Sequence, residues 1–183
     1  MSTPRLAELT EIETAIWAEL CAAVGDKAHP WRLGVLATTD GHEADARTVV
    51  LRELDAARRS LLVYTDARSA KAHQAASHPR ATLVLWSEAL GWQLRLRVQL
   101  AVQTAGLAVS SRWAQLKMTP AAHDYLSPLP PGSTVEHPLP QRGSRVHFAV
   151  LEARVQAIDW LELHAEGHRR ALFDAAGRRW LAP

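Results

Sequence analysis

Residues 63–74, VYTDARSAKAHQ, contain a run of hydroxyl-bearing and basic side chains that follows an apolar segment. Ser69 has the residue type and position of a helix N-cap, which places Arg68 just before the helix and Lys71 in its first turn. Because the N-terminal end of a helix carries partial positive charge, each cation there costs about 0.3–1 kcal/mol. A phosphate would offset this cost by accepting hydrogen bonds from backbone N–H groups, hydroxyls such as Thr65, and the cations.

Two arginines bracket a second segment, RTVVLR at 47–52. Its β-branched residues favour a strand, in which Arg47 and Arg52 point to opposite faces. No acid within Thr48–Leu51 faces Arg47, and burying an unpaired arginine is costly. Exposure to water at the ends of the strand is an alternative explanation for these two arginines, and simple solvation is likewise an alternative for the cations of the first cluster. Two basic clusters so close in sequence nevertheless favour one shared anion.

The elements that must position these clusters begin with a helix. Apolar residues recur at steps of three and four, which predicts a helix over about 5–24, with Thr3 as N-cap, Pro4 in its first turn and Gly25 at its end. Cys21 falls in this stretch and is expected to be a small buried hydrophobe.

Short apolar runs separated by turn residues predict an antiparallel meander. The predicted strands are 31–39, 45–54, 60–66, 80–87, 92–103, 145–163, 168–174 and 178–183. Helices are predicted over 69–77, 107–118 and 119–127, and the proline-rich stretch 128–140 is expected to be a loop. This order predicts a single mainly β domain, 1–183, in which flanking helices accompany an antiparallel split β-barrel over about 31–183.

Bulk composition excludes several function classes. The chain has 183 residues and a formal charge of only +2, so no global field indicates nucleic acid or an anionic membrane as partner. Its single cysteine suits a reducing compartment, and no Cys/His spacing indicates a metal site. No apolar run approaches the roughly 18 residues of a membrane span. A cytoplasmic protein is therefore expected.

Four motifs in order resemble the pyridoxamine 5'-phosphate oxidase family of FMN-binding split barrels. They are RTVVLR, YTDARSAKAHQ, HPRATLVLW and Gln93, and the closing RRWLAP is similar to the family's C-terminal ending. The resemblance runs from about residue 30 to the C-terminus and is fullest to the general FMN-binding branch. It implies FMN as cofactor, an FMN-dependent oxidoreductase acting on a small substrate, and a homodimer with FMN at the subunit interface.

The resemblance also assigns roles to residues. Arg47 and Lys71 would hold the FMN phosphate, and the rest of the strand would line the flavin ring. Further cofactor contacts would come from the YT pair, from Ser69 and from Gln93, while His168 and Arg169 would face the substrate. The full cofactor set is Arg47, Thr48, Val49, Val50, Leu51, Arg52, Tyr64, Thr65, Arg68, Ser69, Lys71 and Gln93.

Three departures from the oxidase leave alternatives. Ala70 stands where the oxidase has an arginine, with Arg68 as a candidate substitute, and Ala171 and Leu172 replace a histidine and an arginine expected near the end. The resemblance thus supports FMN more than it supports oxidation of pyridoxamine 5'-phosphate. The alternatives are a flavin-binding protein without turnover, and a barrel that takes haem or a deazaflavin.

Overall fold

Six antiparallel strands close into a barrel. The structure is a computed structural model that describes residues 5–137, 143 and 146–183. The order in the sheet is β3-β2-β1-β4-β5-β6-β7-β8, and an additional β3–β6 pairing closes the barrel, from which β7 and β8 extend. This confirms the predicted mainly β antiparallel barrel with flanking helices. The strands are β1 (Leu33–Thr39), β2 (Ala44–Asp55), β3 (Ser60–Asp66), β4 (Arg80–Ser87), β5 (Trp92–Gln103), β6 (Phe148–Glu162), β7 (Arg169–Asp174) and β8 (Gly177–Leu181).

Alternating apolar residues fill the barrel. Along β5 the buried side chains are Leu94, Leu96, Val98 and Leu100, and the residues between them face outward. The same alternation in β2 directs Val49 and Leu51 into the core. Every side chain of these strands therefore has a defined face, inner or outer.

The first helix, α1 (Leu9–Gly25), begins later than predicted. Glu8 is its N-cap, and a capping box with Glu11 satisfies the first backbone donors, so an acid rather than the expected Thr3 defines the start. Thr3 and Pro4 lie outside the described residues. The expectation of a buried Cys21 is wrong, since it lies on the exposed face of the helix.

Four shorter helical pieces complete the described fold, and the first is a 3₁₀ helix, Pro30–Arg32, directly before β1. α2 (Ala70–Ser77) follows β3, and α3 (Leu107–Leu116) follows β5. The predicted helix over 119–127 is instead a 3₁₀ helix, Pro120–Tyr125. Residues 128–137 form neither helix nor strand, as predicted, and 138–140 of that loop lie outside the described residues. No helix in the described part of the chain has the length and apolarity that crossing a bilayer requires.

Candidate functional site

Two buried hydroxyls and a lysine meet where β3 ends and α2 begins. Thr65 and Ser69 are each only 3% exposed, and their hydroxyls share a hydrogen bond of 3.0 Å. The ammonium of Lys71 donates to Thr65 Oγ1 at 3.2 Å. Ser69 occupies the N-cap position, but its side chain bonds Thr65 rather than a helix N–H. We call Thr65, Ser69 and Lys71 the hydroxyl–lysine cluster.

Lys71 is a half-buried cation without a close carboxylate among the residues that the structure describes. Burial lowers its pKa, and the nearby guanidinium of Arg47 lowers it further. The carboxylates of Asp66 and Asp45 act in the opposite direction, yet within the described ranges no carboxylate oxygen lies within 4.0 Å of its ammonium. A cation in this setting is suited to an incoming anion.

Arg47 lies on the inner face of β2 at the end of the barrel that α2 covers. It donates to the carbonyl of Leu36 at 3.2 Å, to the hydroxyl of Thr38, and to the amide oxygen of Gln74 at 3.1 Å. It also forms an ion pair with Asp45. This acid stands two residues before Arg47 on the same face of the strand, outside the Thr48–Leu51 run. The guanidinium is therefore partly neutralised already.

The remaining predicted residues of β2 divide between the two faces. Val49 and Leu51 are 5% and 0% exposed and belong to the core. Thr48 and Val50 alternate with them and face outward. A group bound on the outer face would therefore meet the side chains of Thr48 and Val50, and only the main chain of the other two.

Tyr64 belongs to a hydrogen-bonded network that ties α3 to the barrel. Its hydroxyl donates to Glu53 Oε1 at 2.6 Å, and Arg112 of α3 binds both oxygens of Glu53 at 2.7 Å. The guanidinium of Arg52, at a bulge in β2, lies 5.7 Å from the Tyr64 ring centroid. The bonds from Arg112 lower the pKa of Glu53, while burial and the Glu53 carboxylate raise the pKa of Tyr64.

Substituting Glu53→Gln is expected to reduce stability by about 1 kcal/mol at neutral pH, which for a domain of this size lowers Tm by roughly 2–4 °C. A depressed carboxyl pKa contributes stability that is present above the ordinary pKa and is lost as the pH falls through the lowered value. The difference from wild type should therefore shrink in acid. Thermal unfolding from pH 7 to pH 3 measures it, with exposed Glu88→Gln as control; a deficit independent of pH contradicts the ionic explanation.

Arg68 makes protein contacts with all of its side-chain nitrogens. It pairs with buried Asp66 through Nε and Nη2, at 3.1 and 2.8 Å, and donates to three backbone carbonyls between Ser127 and Leu129. Its assignment as a substitute phosphate ligand stays a prediction, which these contacts do not favour.

The substrate-side candidates lie far from the hydroxyl–lysine cluster within one chain. Thr65 pairs with Ala149 near the start of β6, whereas Arg169 pairs with Glu162 at its end. Arg169 binds both oxygens of Glu162, at 2.8 and 3.0 Å, and its guanidinium lies 5.6 and 5.7 Å from the ring centroids of Trp160 and Trp180. His168 is exposed, and its Nδ1 accepts from the backbone N–H of His164 at 3.2 Å.

Gln93 is also distant from β2 in the same chain. It is half-buried on β5 and pairs with Trp86 on one side and Leu161 on the other. The structure therefore groups Arg47, Thr65, Ser69 and Lys71, and leaves Gln93, His168 and Arg169 apart from them.

Four residues that shape the site were not predicted from the sequence. Asp45 could have been found, because it lies two residues from Arg47 on a strand and therefore on the same face. Gln74 also carried a signal, since it stands one helical turn after Lys71. Thr38 and Arg112 carried none, because long-range strand pairing and helix docking bring them in.

Sequence comparison identifies a family for most of the barrel. Residues 11–104 match the family described as "Pyridoxamine 5'-phosphate oxidase, FMN-binding domain". A pyridoxine/pyridoxamine 5'-phosphate oxidase of Caulobacter vibrioides is 27% identical over 192 residues, which cover 97% of this chain and 85% of that protein.

Solved structures share the fold. A pyridoxamine 5'-phosphate oxidase-related, FMN binding protein from Nostoc punctiforme superposes with a TM-score of 0.74 at 22% identity, over 98% of this chain and all of the other. PhzG from Burkholderia lata, solved with tetrahydrophenazine-1-carboxylic acid, gives a TM-score of 0.71 at 14% identity, over 98% and 94% of the two chains. Through the match over β1–β5, the chain belongs to the pyridoxamine 5'-phosphate oxidase family, in its FMN-binding domain.

Proposed function

We propose that this protein binds FMN and is an FMN-dependent oxidoreductase that acts on a small substrate in the cytoplasm. The observation that carries the proposal is the hydroxyl–lysine cluster beside Arg47. A half-buried ammonium, two buried hydroxyls and a guanidinium converge there, and the ammonium has no close carboxylate in the described part of the chain. This donor set matches the charge and hydrogen-bonding needs of a terminal phosphate.

The residues present fit FMN in two respects. Lys71 and Arg47 would neutralise the phosphate, while Thr65 and Ser69 would donate hydrogen bonds to its oxygens. The outward side chains of β2, among them Val50, offer an adjoining surface for the flavin ring. When bound, FMN supplies the two-electron chemistry, and the protein's part is to hold and orient it and to exclude water.

We further propose that the active form is a homodimer whose cofactor sites use residues of both chains. Strands lie about 4.8 Å apart, so Gln93 on β5 is roughly 14 Å from Val50 on β2. The outer faces of the two intervening strands carry Leu33 and Trp86, which are 54% and 45% exposed. A flavin on β2 therefore could not easily meet Gln93 of its own chain, but a second copy could supply it.

Exposed apolar side chains mark the face of this proposed dimer. Leu33 and Val35 (43% exposed) stand on β1, and Trp86 stands beside them on β4. The three residues lie next to outward Val50 and Gln93. An apolar patch of this kind, continuous with the candidate cofactor surface, favours a second copy of the chain as its partner.

The substrate class is proposed only as a small molecule. Ala70, Ala171 and Leu172 differ from the residues expected of the oxidase, and Arg169 is bound to Glu162. These differences do not favour pyridoxamine 5'-phosphate as the substrate.

The test is a titration of the purified protein with FMN, riboflavin, a deazaflavin and haem in parallel, followed by absorbance and calorimetry. FMN is expected to bind saturably and more tightly than riboflavin, because only FMN carries the phosphate. A bound flavin that is bleached anaerobically by NAD(P)H or by a small substrate supports an oxidoreductase.

Three other results would change the assignment. Flavin that binds but is reduced by no donor supports a binding protein without turnover. A haem spectrum, or binding of a deazaflavin in place of FMN, supports the alternative ligands. Equal affinity for FMN and riboflavin would contradict the phosphate site.

A further inference from the structure

Arg68 connects the β3–α2 turn to the backbone that follows the 3₁₀ helix Pro120–Tyr125. Its Nη2 donates to the carbonyl of Ser127 at 2.8 Å and to that of Leu129 at 3.3 Å, and its Nη1 donates to the carbonyl of Pro128 at 3.2 Å. Three successive carbonyls thus converge on one side chain. We call residues 127–129 the docked segment.

The same guanidinium neutralises a buried carboxylate. Asp66 is 5% exposed, and it accepts from Arg68 Nε and Nη2 as well as from the Arg68 backbone N–H at 2.8 Å. Burial alone raises the pKa of Asp66, but these bonds lower it overall, so the carboxyl is ionised and paired.

Asp66 adjoins the hydroxyl–lysine cluster. It follows Thr65 directly in sequence, and its charge acts on Lys71. Without Arg68, the ionised carboxylate would repel an anion that approached the cluster. Arg68 therefore affects the charge around the cluster through Asp66, although its own nitrogens donate to Asp66 and to the carbonyls of the docked segment.

We propose that Arg68 is a positioning residue of the cofactor site, which holds the docked segment beside the hydroxyl–lysine cluster and neutralises Asp66 without contacting the phosphate. This inference rests on the proposed function and makes the docked segment a wall of the FMN site. Arg68 is then not a substitute for the oxidase arginine whose position Ala70 occupies.

The variant that tests this role is Arg68→Lys. Lysine keeps the positive charge, but a single ammonium cannot reproduce the planar fork that reaches Asp66 and three carbonyls together. Hydrogen–deuterium exchange of the Leu126 and Leu129 amides, which donate to His123 O and Ser127 Oγ, is expected to become about 10-fold faster in the ligand-free protein, because the hydrogen bonds from Arg68 that hold this backbone are lost. Unchanged exchange there would overturn the anchoring role, whatever the protein binds.

The affinities for FMN and riboflavin separate positioning from direct contact. Because the lysine ammonium keeps a positive charge beside Asp66, Arg68→Lys should lose only the anchoring of the docked segment, and should therefore weaken both ligands by a similar factor and leave their ratio as in wild type. A loss confined to FMN would show direct phosphate contact, and unchanged affinity for both would show that the docked segment is no part of the site; either result overturns the proposal. Arg58→Lys, an exposed arginine, is the matched control. If wild type binds no FMN, the proposed function fails, while the exchange measurement still decides the anchoring role.

Discussion

Lys71→Met should lower the affinity for FMN by roughly 10- to 100-fold, the equivalent of one charge-assisted hydrogen bond, and leave riboflavin binding unchanged. Its ammonium makes one hydrogen bond in the described structure, to Thr65, so little else is removed. Methionine keeps the length and the apolar part of the side chain. Isothermal calorimetry with the two flavins measures the effect, and exposed Lys27→Met is the control.

The same variant should be as stable as wild type, or more stable, without ligand. Burial and Arg47 lower the pKa of Lys71, so the folded protein binds this proton more weakly than the unfolded chain does. For a base with a lowered pKa, stability rises with pH between the lowered value and the ordinary value of about 10.4. Lys71→Met should lack that rise in thermal unfolding. A variant that loses both stability and riboflavin binding would point to a structural lysine instead.

Val35→Glu is expected to convert the proposed dimer into a monomer and to weaken FMN binding with it. Val35 faces outward on β1, so the barrel itself tolerates the carboxylate. In a two-fold dimer the change occurs twice in one interface, and burying the charges costs roughly 4 kcal/mol or more, about a thousandfold in the dissociation constant. Sedimentation velocity and FMN titration at equal protein concentrations measure the two effects.

Leu107→Glu is the matched control for this experiment. Leu107 is 85% exposed at the start of α3, outside the proposed face, and its substitution should change neither mass nor affinity. A Val35→Glu protein that remains dimeric would place the interface elsewhere. A monomeric variant with full FMN affinity would contradict a site shared between two chains.

Sequence patterns located the strands because the barrel's inner face demands strict alternation. The predicted bounds of β3, β4 and β5 coincide with the structure, and each is a run of alternating or wholly apolar residues ended by turn residues. The predicted start of α1 was wrong although a local signal was present. Glu8 and Glu11 form the capping box that begins the helix, five residues after the predicted N-cap Thr3.

The candidate site was predictable in its residue types but not in their pairing. Two basic clusters indicated an anion, and Lys71 fits that prediction because no close carboxylate meets it in the described residues. Arg68 looked equivalent in sequence, yet it pairs with Asp66 two residues earlier and donates to backbone carbonyls about sixty residues later, at Ser127 to Leu129. Only the folded structure shows that Arg68 is already bound to protein groups, whereas Lys71 has no close carboxylate among the described residues.

Closure of the barrel through β3 and β6 also bears on how copies of the chain can associate. The ring leaves few backbone groups unpaired: among the described strands, the Ala44–Val50 part of β2 pairs only with β1, and β8, at the end of the sheet, pairs only with β7. That edge strand is short and carries two adjacent arginines, Arg178 and Arg179, which discourage edge-to-edge growth into larger aggregates. The proposed dimer would instead form through side chains on the outer face of β1 and β4, a contact that is complete with two copies.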